Sequence, residues 1–313
     1  MLLTKLHIPQ TGKNLVQRSD LFEKLNEGLN RKLILISAPA GYGKSTLLCD
    51  WINEFKIPTA WFSIDKNDND PIEFLKIIIA GIQNIHKDTG KSSLELLKFP
   101  QGIKTEYIVE LLINDILKND QKFLLVLDDF HLIESQEIFK IVSYLLEYLP
   151  EQLHIAISTR SDPPLPLARA RSRNELTEIR SIDLNFSAND ISIFFNKKLK
   201  LGLSIEDIYL LESKTEGWIA GLQLTALSMQ GRENISDYLK KLAGDNRYIM
   251  DYLIEEVLTI QPEEVKQFLL KTSVLEQFTG SLCDSILQIN NSQLILESLE
   301  MNNMFIVPLD DER

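Results

Sequence analysis

Leu33 to Leu48, LILISAPAGYGKSTLL, is the stretch whose reading decides the fold. Leu33-Ile34-Leu35-Ile36 is a short apolar run with β-branched members, the pattern of a strand buried on both faces. Ser37 to Gly43 interrupts it with small residues and one proline. Lys44-Ser45-Thr46 then opens an apolar-periodic segment through Leu47, Leu48, Trp51 and Ile52, the pattern of a helix. Strand, small-residue loop, Lys-Ser and helix together form a phosphate-binding loop. The chemistry requires that order. Consecutive backbone N–H groups of the loop curl around a phosphate, and the helix N-terminus directs its partial positive charge at it. Gly41 and Gly43 permit a close backbone approach that a Cβ would block. Lys44 would then reach the β- and γ-phosphates as a cation, and the Ser45 hydroxyl would ligate Mg²⁺. The general pattern is G-x-x-x-x-G-K-[ST]; its first position here is Ala38.

Working outward, the composition is that of a globular protein. The chain has 313 residues, 44% hydrophobic and 25% charged, enough for two or three domains. Its formal net charge of −12 should repel nucleic acid rather than attract it. Cys49 and Cys283 read as two buried, reduced thiols and not a disulfide framework. No apolar run approaches the roughly 20 residues that span a bilayer. The N-terminus lacks a signal-peptide apolar region and meets Pro9 early, so the expected location is cytoplasmic.

Residues 1–20 read as an extended lead-in, followed by a helix capped by Ser19 or Asp20. Leu15 and Val16 either pack as a surface arm or, with Arg18, fold over an adenine. Pro58 to Ile64 is a second strand. The acidic loop after it is either a cation site or helix capping, with Asp70 at the cap of a helix opening on Pro71. Residues 87–103 read as irregular, and Thr105 to Lys118 as a helix. Phe123 to Asp129 is an apolar strand ending in two acids. There Asp128 would hold Mg²⁺ through water, and Asp129 would polarise the attacking water. His131 either senses phosphate or caps the turn.

A helix from Ser135 to Leu149 leads to a buried strand at Leu153–Thr159, which ends at Arg160. Strand tips on one edge of a parallel sheet surround one crevice, so Arg160 is either a γ-phosphate sensor or half of a structural ion pair. Arg169, Arg171 and Arg173 are either a charge supply for a neighbouring protomer's nucleotide or a solvated helix face. Glu178 to Leu184 is expected as the fifth strand. From Ser187 on, helices alone are expected. Ser187 with Asp190, and Ser204 with Asp207, look like capping boxes. Further helices fall around 246–260, 262–272 and 291–302, with a strand-like run at Phe305–Leu309.

These pieces resemble the nucleotide-binding core of the MalT-like regulators, signal-transducing STAND ATPases often found as large LuxR-type transcription factors. The resemblance is carried by TKLHIP at 4–9, LVQR at 15–18, SAPAGYGKSTL at 37–47 and WFSIDKNDNDP at 61–71. It continues in LLVLDDFHLI at 124–133, STRSDPPLPLARAR at 158–171, TEGWIAGLQL at 215–224 and FLLKTSVLEQFTGSLCD at 268–284. The family's phosphate loop commonly reads APAGYGK, which accounts for Ala38. The implied fold class is α/β, a P-loop NTPase of ASCE/STAND type. Its parallel five-stranded sheet is flanked by helices and followed by an all-helical subdomain and a truncated winged-helix domain. The implied divisions are 1–30 (arm and first helix), 31–186 (nucleotide-binding domain), 187–245 (helical subdomain) and 246–313 (incomplete winged helix).

The resemblance also implies ATP/ADP contacts at Val16 and Arg18. It places phosphate contacts along Pro39, Ala40, Gly41, Tyr42, Gly43, Lys44, Ser45 and Thr46. Mg²⁺ would sit at Ser45 and Asp128, and γ-phosphate sensing at Arg160. Gln223 stands where NB-ARC relatives carry an adenine-touching proline. The family's β-hairpin, the His reading the β-phosphate of ADP, the sensor repeats and the DNA-binding domain would lie beyond Arg313. The sequence therefore reads as an excised core or a short protein. The implied activity is a nucleotide-driven switch with slow, Mg-dependent hydrolysis, an unknown inducer and self-association within a longer protein. A small-molecule kinase or metabolic P-loop ATPase is the alternative; it would need an acceptor site that the helical half does not offer. Direct DNA binding by 246–313 is disfavoured by the acidic Asp251, Glu255, Glu256, Glu263 and Glu264.

Overall fold

A computed structural model describes residues 3–12, 14–99, 102–229, 235–240, 247–259, 261–275, 277–301 and 306. The chain divides into two compact units. The first is Met1–Ala38 with Lys44–Leu184, and the second is Pro39–Gly43 with Asn185–Arg313.

The first unit is built on five strands: β1 (Leu33–Ser37), β2 (Thr59–Ser63), β3 (Phe123–Asp128), β4 (Leu153–Thr159) and β5 (Leu176–Arg180). Their order is β2-β3-β4-β1-β5 and every pairing is parallel. All residues of β1, β3 and β4 are buried, which is why they read as unbroken apolar runs rather than alternating ones. The register pairs Ile36 with Ser158, Ser37 with Thr159 and Ser63 with Asp128. The carboxyl ends of β1, β2, β3 and β4 therefore form one row.

The helices of this unit are α1 (Ser19–Gly28), α2 (Lys44–Phe55), α3 (Pro71–Gln83), α4 (Lys91–Leu96), α5 (Thr105–Ile116), α6 (Gln136–Glu147), α7 (Leu167–Ser172) and α8 (Ser181–Leu184). α3 starts as its sequence dictates. The Asp70 carboxylate accepts from Glu73 N at 2.8 Å, with Pro71 at the first helical position. Its Phe74, Leu75, Ile78 and Ile82 join Phe62, Leu112, Leu125 and Ile157 in one core. Each such fully buried side chain contributes roughly 1.5–3 kcal/mol.

Four expectations are corrected. α1 has Arg18, not Ser19 or Asp20, at its cap position, with no side-chain cap; the Arg18 carbonyl accepts from Phe22 N at 2.9 Å. The extended lead-in contains a 3₁₀ turn at Leu3–Leu6, and the span 87–103 contains α4. The fifth strand ends at Arg180, because Asp183 Oδ2 accepts from Arg180 N at 2.7 Å and turns the chain into α8.

In the second unit, α9 (Ala188–Ser192), α10 (Ile205–Thr215), α11 (Ile219–Met229), α12 (Ile235–Lys240) and α13 (Arg247–Leu253) precede α14 (Glu263–Thr272), α15 (Gly280–Leu287) and α16 (Ser292–Met301). Both capping boxes form, Ser187 with Asp190 and Ser204 with Asp207. α15, capped by Thr279, falls between the helices expected around 262–272 and 291–302. Phe268, Cys283, Ile295 and Leu299 make a small core among the last three helices. Apart from Ile306, the strand-like run at 305–309 lies outside the described residues.

Gly217 locks the entry to α11. Its φ is +74°, and an added Cβ would lie 2.4 Å from Phe186 O. Gly102 has φ +79° with nothing within 4 Å. Gly217→Ala should therefore lower stability in urea denaturation by roughly 3 kcal/mol, against about 1 kcal/mol for Gly102→Ala. Equal costs would show that the Phe186 backbone yields to the new methyl group.

Candidate phosphate-binding site

The site in the first unit is organised on Asp128, the last residue of β3 and only 4% exposed. Ser45 Oγ, one residue into α2, donates to Asp128 Oδ1 at 2.7 Å. Ser158, on β4, donates to the same oxygen through its Oγ. The Ser158 hydroxyl in turn accepts from Asp129 N at 3.1 Å. Asp129 itself has φ +58°, a left-handed conformation uncommon outside glycine, and heads a 3₁₀ turn at Phe130–Leu132. Its carboxylate stays near half-exposed while Asp128 is sealed. The two adjacent acids thus occupy different environments.

Lys44 is buried, and its Nζ donates to Ala38 O at 2.7 Å. Burial lowers its pKa to about 8; the Asp129 and Asp128 carboxylates oppose the shift, and the Arg160 cation adds to it. His131 is pushed down to about 3 by burial, reinforced by Arg160 and Lys44. Its Nδ1 lies 3.8 Å from Asp129 Oδ1, so at neutral pH the ring is an uncharged neighbour of the acid pair. Lys44, Ser45, Asp128, Asp129, His131 and Arg160 therefore converge electrostatically. Ser158 was not anticipated. A hydroxyl in a strand buried on both faces needs a partner, and that is the signal that could have found it.

The arm residues have a different setting. Val16 is buried, and Arg18 donates to Leu184 O at 2.9 Å and Asp183 O at 2.8 Å, at the C-terminal end of α8. Cations suit that end of a helix. The acidic loop after β2 holds a side-chain ammonium: Lys5 Nζ is 2.8 Å from Asp65 Oδ2 and 2.7 Å from Asp68 Oδ2. Asn69 ties this loop to the turn after β3, donating to Leu132 O and accepting from Glu134 N and Ser135 N. The loop residues Pro39–Gly43 belong to the second unit, where Trp218 Nε1 donates to Ala40 O at 3.1 Å.

The donor set fits Mg²⁺. Ser45 Oγ and Asp128 Oδ1 are hard oxygens at hydrogen-bond distance. Among the described residues no group of three or more His, Cys, Asp or Glu could hold a metal. An ion here would complete its shell with water and phosphate oxygens, as Mg²⁺ does.

A parallel sheet of this order, a glycine-rich loop leading into Lys-Ser at a helix start, and an acid at the end of the next-but-one strand in space define a P-loop ATPase core. Residues 254–313 match the family described as the MalT winged helix domain. The HTH-type transcriptional regulator MalT of Serratia proteamaculans is 33% identical over 313 residues, covering 99% of this chain and 34% of that protein. Serine/threonine-protein kinase PknK of Mycobacterium tuberculosis is 32% identical over 302 residues, covering 96% of this chain and 27% of that protein. A solved Signal Transduction ATPase with Numerous Domains (STAND) protein with a tetratricopeptide repeat sensor, from Pyrococcus horikoshii, matches in fold. Its TM-score is 0.52 and its identity 18%, covering 94% of this chain and 40% of that one. This chain is a MalT-like STAND protein over the segment it spans, about a third of the length of the curated relatives it matches. No helix among the described residues is long and apolar enough to cross a membrane.

The lowered Lys44 gives a pH test. Folding lowers its pKa from 10.5 to about 8, so without ligand the folded state bears the cost of the buried charge below pH 8. That cost is relieved as pH rises from 8 toward 10.5. A phosphate bound against Lys44 would oppose that shift, so ATP binding there should take up a proton near pH 8.5, and affinity should fall as pH climbs through that range. Calorimetry in buffers of different ionisation enthalpy measures the uptake. No uptake would mean that Lys44 stays charged in the free protein.

Proposed function

We propose that the chain is the ATP/ADP-binding core of a MalT-like regulatory switch, in which slow Mg-dependent hydrolysis returns the protein to an ADP-bound state. The observation that carries this reading is the Ser45–Asp128 hydrogen bond of 2.7 Å at the strand edge where Lys44 is buried. A hydroxyl at a helix start and an acid at a strand end meet there as an Mg-nucleotide site requires. In this reading Lys44 holds the β- and γ-phosphates, assisted by the N–H groups of Pro39–Thr46, proline excepted. Ser45 and Asp128 would hold Mg²⁺, which supplies charge neutralisation. Asp129, more exposed than Asp128, orients water. Arg160 senses the γ-phosphate. Adenine is contacted by the arm at Val16 and Arg18. Because both Arg18 Nη groups donate to carbonyls, its part of that contact falls to the backbone.

Residues 1–30, 31–186, 187–245 and 246–313 then serve as arm, nucleotide-binding domain, helical subdomain and winged helix. The inducer and self-association belong to a longer cytoplasmic protein. This segment does not itself bind DNA, consistent with its charge of −12.

Lys44→Ala should remove most ATP affinity while leaving the far-UV circular dichroism unchanged. Calorimetric titration showing near-parental affinity would overturn the reading. Asp129→Asn should slow hydrolysis with ATP still bound, whereas Asp128→Asn should weaken the Mg²⁺ dependence of binding. Indistinguishable behaviour of those two variants in binding and turnover would overturn the division of roles.

A further inference from the structure

The segment Trp218–Ala220 grips the phosphate loop from its carbonyl side. Trp218 Nε1 donates to Ala40 O at 3.1 Å, and Ala220 N donates to Gly41 O at 3.0 Å. Packing there is tight. A Cβ on Gly41 would lie 2.6 Å from Ala220 Cβ, 2.8 Å from Trp218 Nε1 and 3.0 Å from Tyr252 Oη. One on Gly43 would lie 3.1 Å from Ile219 Cδ1. The Trp218 ring is held edgewise to Tyr252, with centroids 5.6 Å apart and planes at 60°. An indole N–H can only donate, and this one is directed at loop backbone.

In a trans peptide the C=O and the following N–H point in opposite directions, and the described chain contains no cis bonds. Fixing the carbonyls of Ala40 and Gly41 on donors therefore turns the N–H groups of Gly41 and Tyr42 to the opposite side. Gly41 (φ +80°) and Gly43 (φ +73°) leave those peptides free to rotate if nothing holds them. We infer that Trp218 is a positioning residue of the phosphate loop, holding the Gly41 and Tyr42 amides in the orientation that receives phosphate. This rests on the nucleotide-binding reading above and deepens it: nucleotide affinity is set in part by a residue 178 positions downstream of Ala40 in sequence.

The test is Trp218→Phe in the full chain, which keeps an aromatic ring beside Tyr252 and deletes the donor. If the unclamped loop is competent about a tenth to a third of the time, apparent affinity for ADP and ATP weakens about three- to tenfold. Lys44→Ala serves as the reference for lost binding. Loss of ADP and ATP affinity in this range supports the proposal. Parental affinity in Trp218→Phe, with binding lost in Lys44→Ala, overturns it and leaves the nucleotide reading standing. Failure of the parent to bind either nucleotide overturns both.

A second measurement needs no variant to fold. Trp51 and Trp61 are fully buried while Trp218 is partly exposed. ADP should therefore change the tryptophan emission of the parent protein through Trp218. An emission spectrum unaltered at saturating ADP also overturns the proposal.

Discussion

The first unit depends on one buried carboxylate. Sealing Asp128 from water is costly unless its oxygens are filled, and hydroxyls from two other elements fill one of them. Ser45 comes from the start of α2 and Ser158 from β4, so one acid on β3 fixes a helix and a neighbouring strand at once. Strand order makes this possible. β4 lies between β1 and β3, which puts Ser158 beside Asp128 and pairs it with Ile36 next to the loop. Ser158 carries the order one step further, because its hydroxyl also accepts from Asp129 N and holds that residue in its left-handed turn.

Charge balance around that acid follows from burial. Lys44 and Arg160 bring two cations to a region with two carboxylates, and desolvation still lowers Lys44 to about 8. Burial, with the Arg160 and Lys44 cations adding to it, likewise holds His131 neutral. Away from the site the same accounting explains the basic cluster. Arg169 forms two 2.7 Å contacts with Glu147, and Arg171 is bidentate on Glu178 at 2.7 and 2.8 Å. Arg180 pairs with Asp162 and Glu178, and hydrogen bonding from Arg171 holds Glu178 at about 2. Arg169 and Arg171 are thus held by acids of their own unit.

Legibility of the sequence followed the range of the forces. The buried strands and the helix start at Asp70-Pro71 were readable because local pattern and local hydrogen bonding determine them. So were the positions of Lys44 and Ser45 at a helix start and of Asp128 at a strand end, because the loop motif and the apolar run before Asp128 are local patterns. The strand expected to run to Leu184 failed because Asp183 reaches back to Arg180 N, a side-chain contact that apolar periodicity cannot register. The cap of α1 failed for a related reason. Arg18 sits at the cap with its guanidinium committed to carbonyls 165 and 166 residues away. Ser158 and Asn69 were missed because both act across strands or loops, and only their burial or convergence reveals them.

The phosphate loop illustrates the same limit from the other side. Its glycines make the motif visible, but residues without side chains cannot hold a shape by themselves, and Gly loses the most backbone freedom on ordering. The conformation has to be imposed by donors supplied from elsewhere. Lys44 Nζ takes the Ala38 carbonyl at one end, and Trp218 Nε1 and Ala220 N take those of Ala40 and Gly41. Pro39–Gly43 group with Asn185–Arg313, although in sequence they lie between β1 and α2. A motif that specifies where phosphate chemistry occurs therefore leaves unspecified what fixes its geometry, and the tryptophan just before α11 is where that second requirement is met.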